Sequence, residues 1–109
     1  MGKFELKKGK DGKFRFNLKA TNGQVILSSE AYESKAACLN GIESVKKNAV
    51  REGAFQTEVA KNGKPFFNLK ATNGQVIGTS QMYASEISCN NGIESVKKNA
   101  PEASTVEVE

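Results

Sequence analysis

Apolar and polar residues alternate along much of this chain with the period of half-buried strands. Phe14, Phe16, Leu18 and Ala20 fall on one face of such a strand, with Arg15, Asn17 and Lys19 on the other. Asn22-Gly23 follows, a pair that reads as a two-residue hairpin loop in which both residues take positive φ. The register then sets Thr21 opposite Gln24, Ala20 opposite Val25, Leu18 opposite Leu27 and Phe16 opposite Ser29, so that Val25 and Leu27 continue the inner face. Phe4 and Leu6 belong to that face too, because the alternative drives Glu5 and Lys7 into the core. Pairing Leu6 with Phe16 and Phe4 with Leu18 requires an odd number of loop residues, since a slip of one would flip every side chain. A loop of three or five residues is therefore predicted around Lys10-Asp11-Gly12. Further along, Phe55, Thr57 and Val59 stand in the same relation to Phe67 and Leu69.

The period then lengthens. Cys38, Ile42, Val45 and Ala49 fall at i, i+4, i+7 and i+11, as do Cys89, Ile93, Val96 and Ala100, which predicts a helix with one apolar stripe in each place. Ser34 and Ser85 stand where N-caps belong, and Lys46-Lys47 and Lys97-Lys98 occupy last turns, where cations complement the helix dipole. Pro101 closes the second helix. Gly41 and Gly92 lie inside these helices at a cost of ~1 kcal/mol relative to alanine. Close packing of helix on sheet, or of helix on helix, is the reason expected for them. Residues 104–109, Ser-Thr-Val-Glu-Val-Glu, alternate like a short edge strand and equally fit a frayed tail.

These elements occur twice because the sequence does. Shifted by 51 residues, Gly12–Ala49 matches Gly63–Ala100 at 27 of 38 positions without a gap. Repeat one spans 3–54 and repeat two 55–105, within a single pseudo-two-fold domain over 1–109. A unit near 50 residues buries too little surface to fold alone, and Val50-Arg51-Glu52-Gly53-Ala54 is too short to hold two units apart, so the repeats should share a core. The predicted class is α+β: tandem β-β-β-α repeats sharing one antiparallel sheet of six or more strands, with two helices packed on one face.

Charge separates what the repeat makes alike. The net charge is +4. Residues 1–54 carry eleven Lys or Arg against six acids, a balance of +5, while residues 55–109 carry five against six, a balance of −1. The chain contains no histidine, no cluster of carboxylates and no activated cysteine, so no catalytic residue, metal site or cofactor is assigned and no enzyme is expected. Cys38 and Cys89 read as buried small hydrophobes, and Gly9-Lys10-Asp11-Gly12-Lys13 as a turn between strands, not a phosphate loop. No apolar run reaches membrane-spanning length and the N-terminus lacks a secretory h-region, so the expected location is cytoplasmic, without membrane contact.

The sheet face away from the helices should carry Arg15, Asn17, Lys19, Ile26 and Ser28 in repeat one and Phe66, Asn68, Lys70, Ile77 and Thr79 in repeat two. Arg15, Lys19, Phe66 and Lys70 form the candidate binding surface, since cations beside a ring on an open sheet are what single-strand nucleic-acid binders use. The leading reading is a non-catalytic binding or protein-interaction module with a protein partner. Nucleic-acid binding through the outer face comes second, and an enzyme with an unfamiliar site third. A monomer is expected ahead of a homo-oligomer.

The run Phe16-Asn17-Leu18-Lys19-Ala20-Thr21-Asn22-Gly23, Tyr32, Ser34-Lys35-Ala36-Ala37 and Gly41-Ile42-Glu43-Ser44-Val45-Lys46-Lys47-Asn48 resembles the YegP family, small bacterial proteins of one or two such modules. The resemblance covers nearly all of residues 3–100. It implies three-strand-plus-helix units sharing one sheet, with strands after the helices exchanged between copies, and it brings no catalytic residue.

Overall fold

The structure is a computed structural model that describes residues 2–108; Met1 and Glu109, the last residue of the alternating C-terminal segment, lie outside the described residues. Strands β1 (Lys3–Lys8) and β2 (Phe14–Lys19) pair antiparallel with Leu6 opposite Phe16 and Phe4 opposite Leu18, the register the inner face demands. The Gly9 N–H donates to the Lys13 carbonyl at 2.8 Å, which leaves Lys10-Asp11-Gly12 as the loop tip. Gly12 there takes φ +80°, a left-handed conformation that glycine adopts without strain.

The next hairpin departs from the expected one. The Ala20 N–H donates to the Gln24 carbonyl at 2.9 Å, so the loop has three residues, Thr21-Asn22-Gly23, and of these only Gly23 has positive φ. Asn22 acts instead through its side chain, whose Oδ1 accepts from the Gln24 N–H at 3.0 Å. Strand β3 (Val25–Ser28) keeps Leu27 opposite Leu18, but a bulge then sets Val25 opposite Lys19 in place of Ala20. Val25 thereby moves to the outer face, and Ile26 joins the core at 6% exposure. The same shift recurs between β5 (Pro65–Lys70) and β6 (Val76–Thr79), so Ile77 is also buried. Both isoleucines were expected on the outer face; the third loop residue is what turns them inward.

With β4 (Phe55–Val59) and β7 (Ser104–Val108), the strands form one seven-stranded sheet in the order β4-β5-β6-β3-β2-β1-β7. The repeats join at Ser28 opposite Thr79, positions that are equivalent under the 51-residue shift, so the pseudo-axis passes between them. Five of the six neighbouring pairs are antiparallel. The C-terminal segment is a strand, and it lies parallel to β1, against the other repeat, with Phe4 beside Thr105.

Helices α1 (Lys35–Ala49) and α2 (Glu86–Asn99) begin at Ser34 and Ser85, whose hydroxyls accept from the N–H groups of Ala37 and Ser88, each at 3.1 Å. Each helix packs on strands of both repeats, and one apolar core runs through them all. At the junction, Leu27 and Gly78 are repeat-equivalent and fill one space between them: a Cβ on Gly78 would sit 2.7 Å from Leu27 Cγ. Gly41 and Gly92 make room for a side chain and not for a backbone. Cβ atoms there would meet the hydroxyls of Tyr32 and Tyr83 at 2.4 and 2.2 Å.

Cys38 on α1 and Cys89 on α2 are free and fully buried, and burial pushes both thiols up from their ordinary pKa. Cys38→Ala and Cys89→Ala should each cost ~1–2 kcal/mol in a denaturant melt, as trimming a small core side chain does. Both thiols should label slowly in the native protein, because little thiolate forms and access is blocked. Rapid native-state labelling would contradict that placement.

Candidate binding surface

The outer face of repeat one is built by the register of β1 on β2. Lys7 lies opposite Arg15, Glu5 opposite Asn17 and Lys3 opposite Lys19. This face is concave. The concavity holds about 820 Å³ and is lined by Glu5, Lys7, Lys8, Lys10, Arg15, Asn17 and Lys19, with Val25 and Val108 at its apolar margins.

Two of its cations are already engaged. Arg15 grips Asp11 through its two terminal guanidinium nitrogens, Nη2 donating to Oδ2 at 2.9 Å and Nη1 to Oδ1 at 3.4 Å. That contact, helped by the Lys13 N–H, holds the Asp11 carboxyl at a pKa of about 2. A lowered carboxylate favours the folded arrangement above its unfolded pKa and loses that contribution as pH falls through about 2, so the Arg15 clasp persists at neutral pH. Lys19 lies 3.0 Å from Glu5, and its hydrogen bond is the main reason the Glu5 carboxyl is lowered. Lys7, Lys8 and Lys10, by contrast, have no carboxylate partner among the described residues. Lys8 follows Phe4 and Leu6 onto the inner face, where its ammonium rests 5.8 Å from the centroid of the Phe14 ring.

The four predicted residues are not brought together. Arg15 and Lys19 line the concavity, whereas Phe66 and Lys70 stand on β5, three strand spacings away, or roughly 14 Å. Phe66 pairs across from Glu58, and no aromatic ring lines the concave region. Sequence reasoning overlooked Lys7 and Lys10 as site residues, although the Leu6–Phe16 register already placed Lys7 beside Arg15. Among the described residues, no three His, Cys, Asp or Glu side chains gather as a metal ion would need, and no helix is long and apolar enough to cross a membrane.

Comparison with known proteins agrees with the internal repeat. The family model described as "Domain of unknown function (DUF1508)" matches twice, over residues 10–54 and 60–107. A UPF0339 protein of Pseudomonas aeruginosa is 58% identical over 101 residues, 93% of this chain and 92% of that protein. The UPF0339 protein YegP of Yersinia pestis is 50% identical over 99 residues, covering 91% and 88% of the two chains. The solution NMR structure of a UPF0339 protein from Shewanella oneidensis superposes with a TM-score of 0.92 at 51% identity, covering 97% of this chain and 90% of that one. That of YegP from E. coli, a protein of unknown function, gives 0.91 at 49% identity, covering 97% and 91%. The repeat, the mixed seven-stranded sheet and these relatives together place the chain in the DUF1508 family, with the UPF0339 and YegP proteins.

Proposed function

We propose that the protein is a non-catalytic interaction module whose first repeat docks a carboxylate-rich polypeptide on its concave outer face. The observation that carries this reading is the lining of that concavity: Lys7 and Lys10, without carboxylate partners among the described residues, beside Arg15 and Lys19, with Glu5 the single acid among them. Cations grouped in this way attract an anionic partner and orient it as it arrives. The absence of a ring in the lining favours protein over single-stranded nucleic acid, whose bases need a stacking platform. A chain without histidine and with both cysteines buried supplies no evident acid, base or nucleophile at this face, which supports binding without chemistry.

The test is an NMR titration of the whole protein with a Glu-rich peptide and, separately, with a thymidine oligonucleotide. The peptide should shift the amides of Lys7, Lys8, Lys10 and Arg15 and be weakened by salt. Asp11→Asn should tighten it by releasing Arg15. Oligonucleotide binding that persists at physiological salt and is lost in Phe66→Ala would reject this reading in favour of a nucleic-acid interface on repeat two.

A further inference from the structure

The two ends of the sheet are equivalent by repeat and unequal in cover. At one end β7 lies parallel to β1, and the 3₁₀ turn Ala100–Glu102 with Ala103 closes over the inner face. Phe4 and Ile42 are there buried to 0% and 1% exposure. At the other end the equivalent residues, Phe55 and Ile93, are only partly buried, and they line an open groove of about 370 Å³ between α2 and the turn Arg51-Glu52-Gly53 that leads into β4. Among the described residues no strand lies beyond β4. The segment that follows α1 is β4 itself, so the chain makes one post-helix strand for two equivalent edges.

The backbone of the open edge is set for pairing. The Ala54 carbonyl accepts from the Lys70 N–H at 2.8 Å, and because successive residues of a strand point their peptide groups to opposite sides, those of Phe55, Thr57 and Val59 point away from β5. These are the counterparts of Phe4, Leu6 and Lys8, whose peptide groups face β7.

The charges of the two edges are inverted. Where β7 sits, Lys35 at the start of α1 binds Glu107, and Lys7 pairs with Val108. Under the 51-residue shift Lys35 becomes Glu86, Lys7 becomes Glu58 and Lys8 becomes Val59. Neither Glu58 nor Glu86 forms an ion pair among the described residues. A second copy's C-terminal strand would therefore bring Glu107 against Glu86, like charge on like. We infer that the β4 edge and its groove accept, in parallel, an extended segment of a different protein that carries a small apolar residue at the position of Ala103, which is buried in the native pairing, and Lys or Arg at the position of Glu107. Backbone pairing gives such a segment its affinity, Phe55 and Ile93 seat the residue at the Ala103 position, and Glu86 selects its charge.

The experiment titrates the full-length, ¹⁵N-labelled protein with two synthetic peptides spanning residues 103–108, one of native sequence and one carrying Glu107→Lys. The Lys peptide should shift the amides of Phe55, Thr57 and Val59 and bind about tenfold more tightly than the native one, the worth of one charge reversal at a partly shielded site. Glu86→Lys in the protein should reverse the preference while leaving the fold unchanged. Equal binding of both peptides, no shift in β4 at millimolar peptide, shifts confined to β1 and β7, or β4 shifts that depend on protein concentration alone would each overturn the inference, the last by assigning the edge to a second copy.

Discussion

Residues 1–54 alone are expected to remain unfolded in dilute solution, residues 55–109 likewise, and an equimolar mixture of the two to recover a dispersed amide spectrum. Each half lacks what the other supplies. Without repeat two, β3 loses its pairing at Thr79, β1 loses β7, and α1 loses the β5 and β6 side chains on which it rests. The Arg51 guanidinium, which joins Asn48 Oδ1 to the Lys70 carbonyl at 2.9 Å each, is left without the second of these acceptors. Repeat one cannot replace these contacts by pairing with itself. A homodimer about Ser28 would set Leu27 against Leu27 in a space that holds one leucine and one glycine, and overfilling of that kind costs ~1–3 kcal/mol. Two copies of repeat two would leave the same space empty. Heteronuclear NMR of each half and of the mixture reads the result, and a monomeric, well-dispersed half would show that the shared core is dispensable. In the intact chain Gly78→Leu should destabilise by at least the same ~1–3 kcal/mol.

Most of the architecture was legible because two strong signals agreed. The 51-residue repeat stated that whatever one half did, the other did too, and the need to bury Phe4 and Leu6 left one register for β1 on β2. Ser34 and Ser85 marked the helix starts for the same local reason twice. What the sequence hid was decided by single hydrogen bonds. Asn-Gly serves a two-residue loop with two positive φ values or a three-residue loop with one, and the Ala20–Gln24 bond selects the second, which turns Ile26 and Ile77 inward. The direction of β7 was hidden for another reason: alternation reports faces, and a strand presents the same faces whether parallel or antiparallel. The candidate surface suffered most, since Arg15 and Phe66 are equivalent positions of the two repeats and the pseudo-axis necessarily carries them apart.

Gly41→Ala should destabilise the protein by ~1–3 kcal/mol, although the same exchange in an open helix would stabilise it by about 1 kcal/mol. The opposition is steric. The added Cβ would lie 2.4 Å from Tyr32 Oη, 2.7 Å from its Cζ and 3.1 Å from Phe16 Cε2. The tyrosine has nowhere to retreat: its ring stacks on Phe16 with centroids 6.2 Å apart, and its backbone exchanges hydrogen bonds with Phe14 at 2.7 and 2.8 Å. Gly92, Tyr83 and Phe67 repeat the arrangement, so Gly92→Ala should behave alike. A double-mutant cycle separates clash from any other cost of the exchange. Tyr32→Ala alone opens a cavity at ~3–5 kcal/mol, the range for a large aromatic ring, but in its background Gly41→Ala meets no ring and should become neutral or stabilising. Tyr32→Phe removes Oη and leaves the Cζ contact, so it should relieve only part of the clash. Denaturant midpoints of the four proteins give the coupling, and additive penalties in the Tyr32→Ala background would mean that Gly41 is required for some reason other than the ring beneath it.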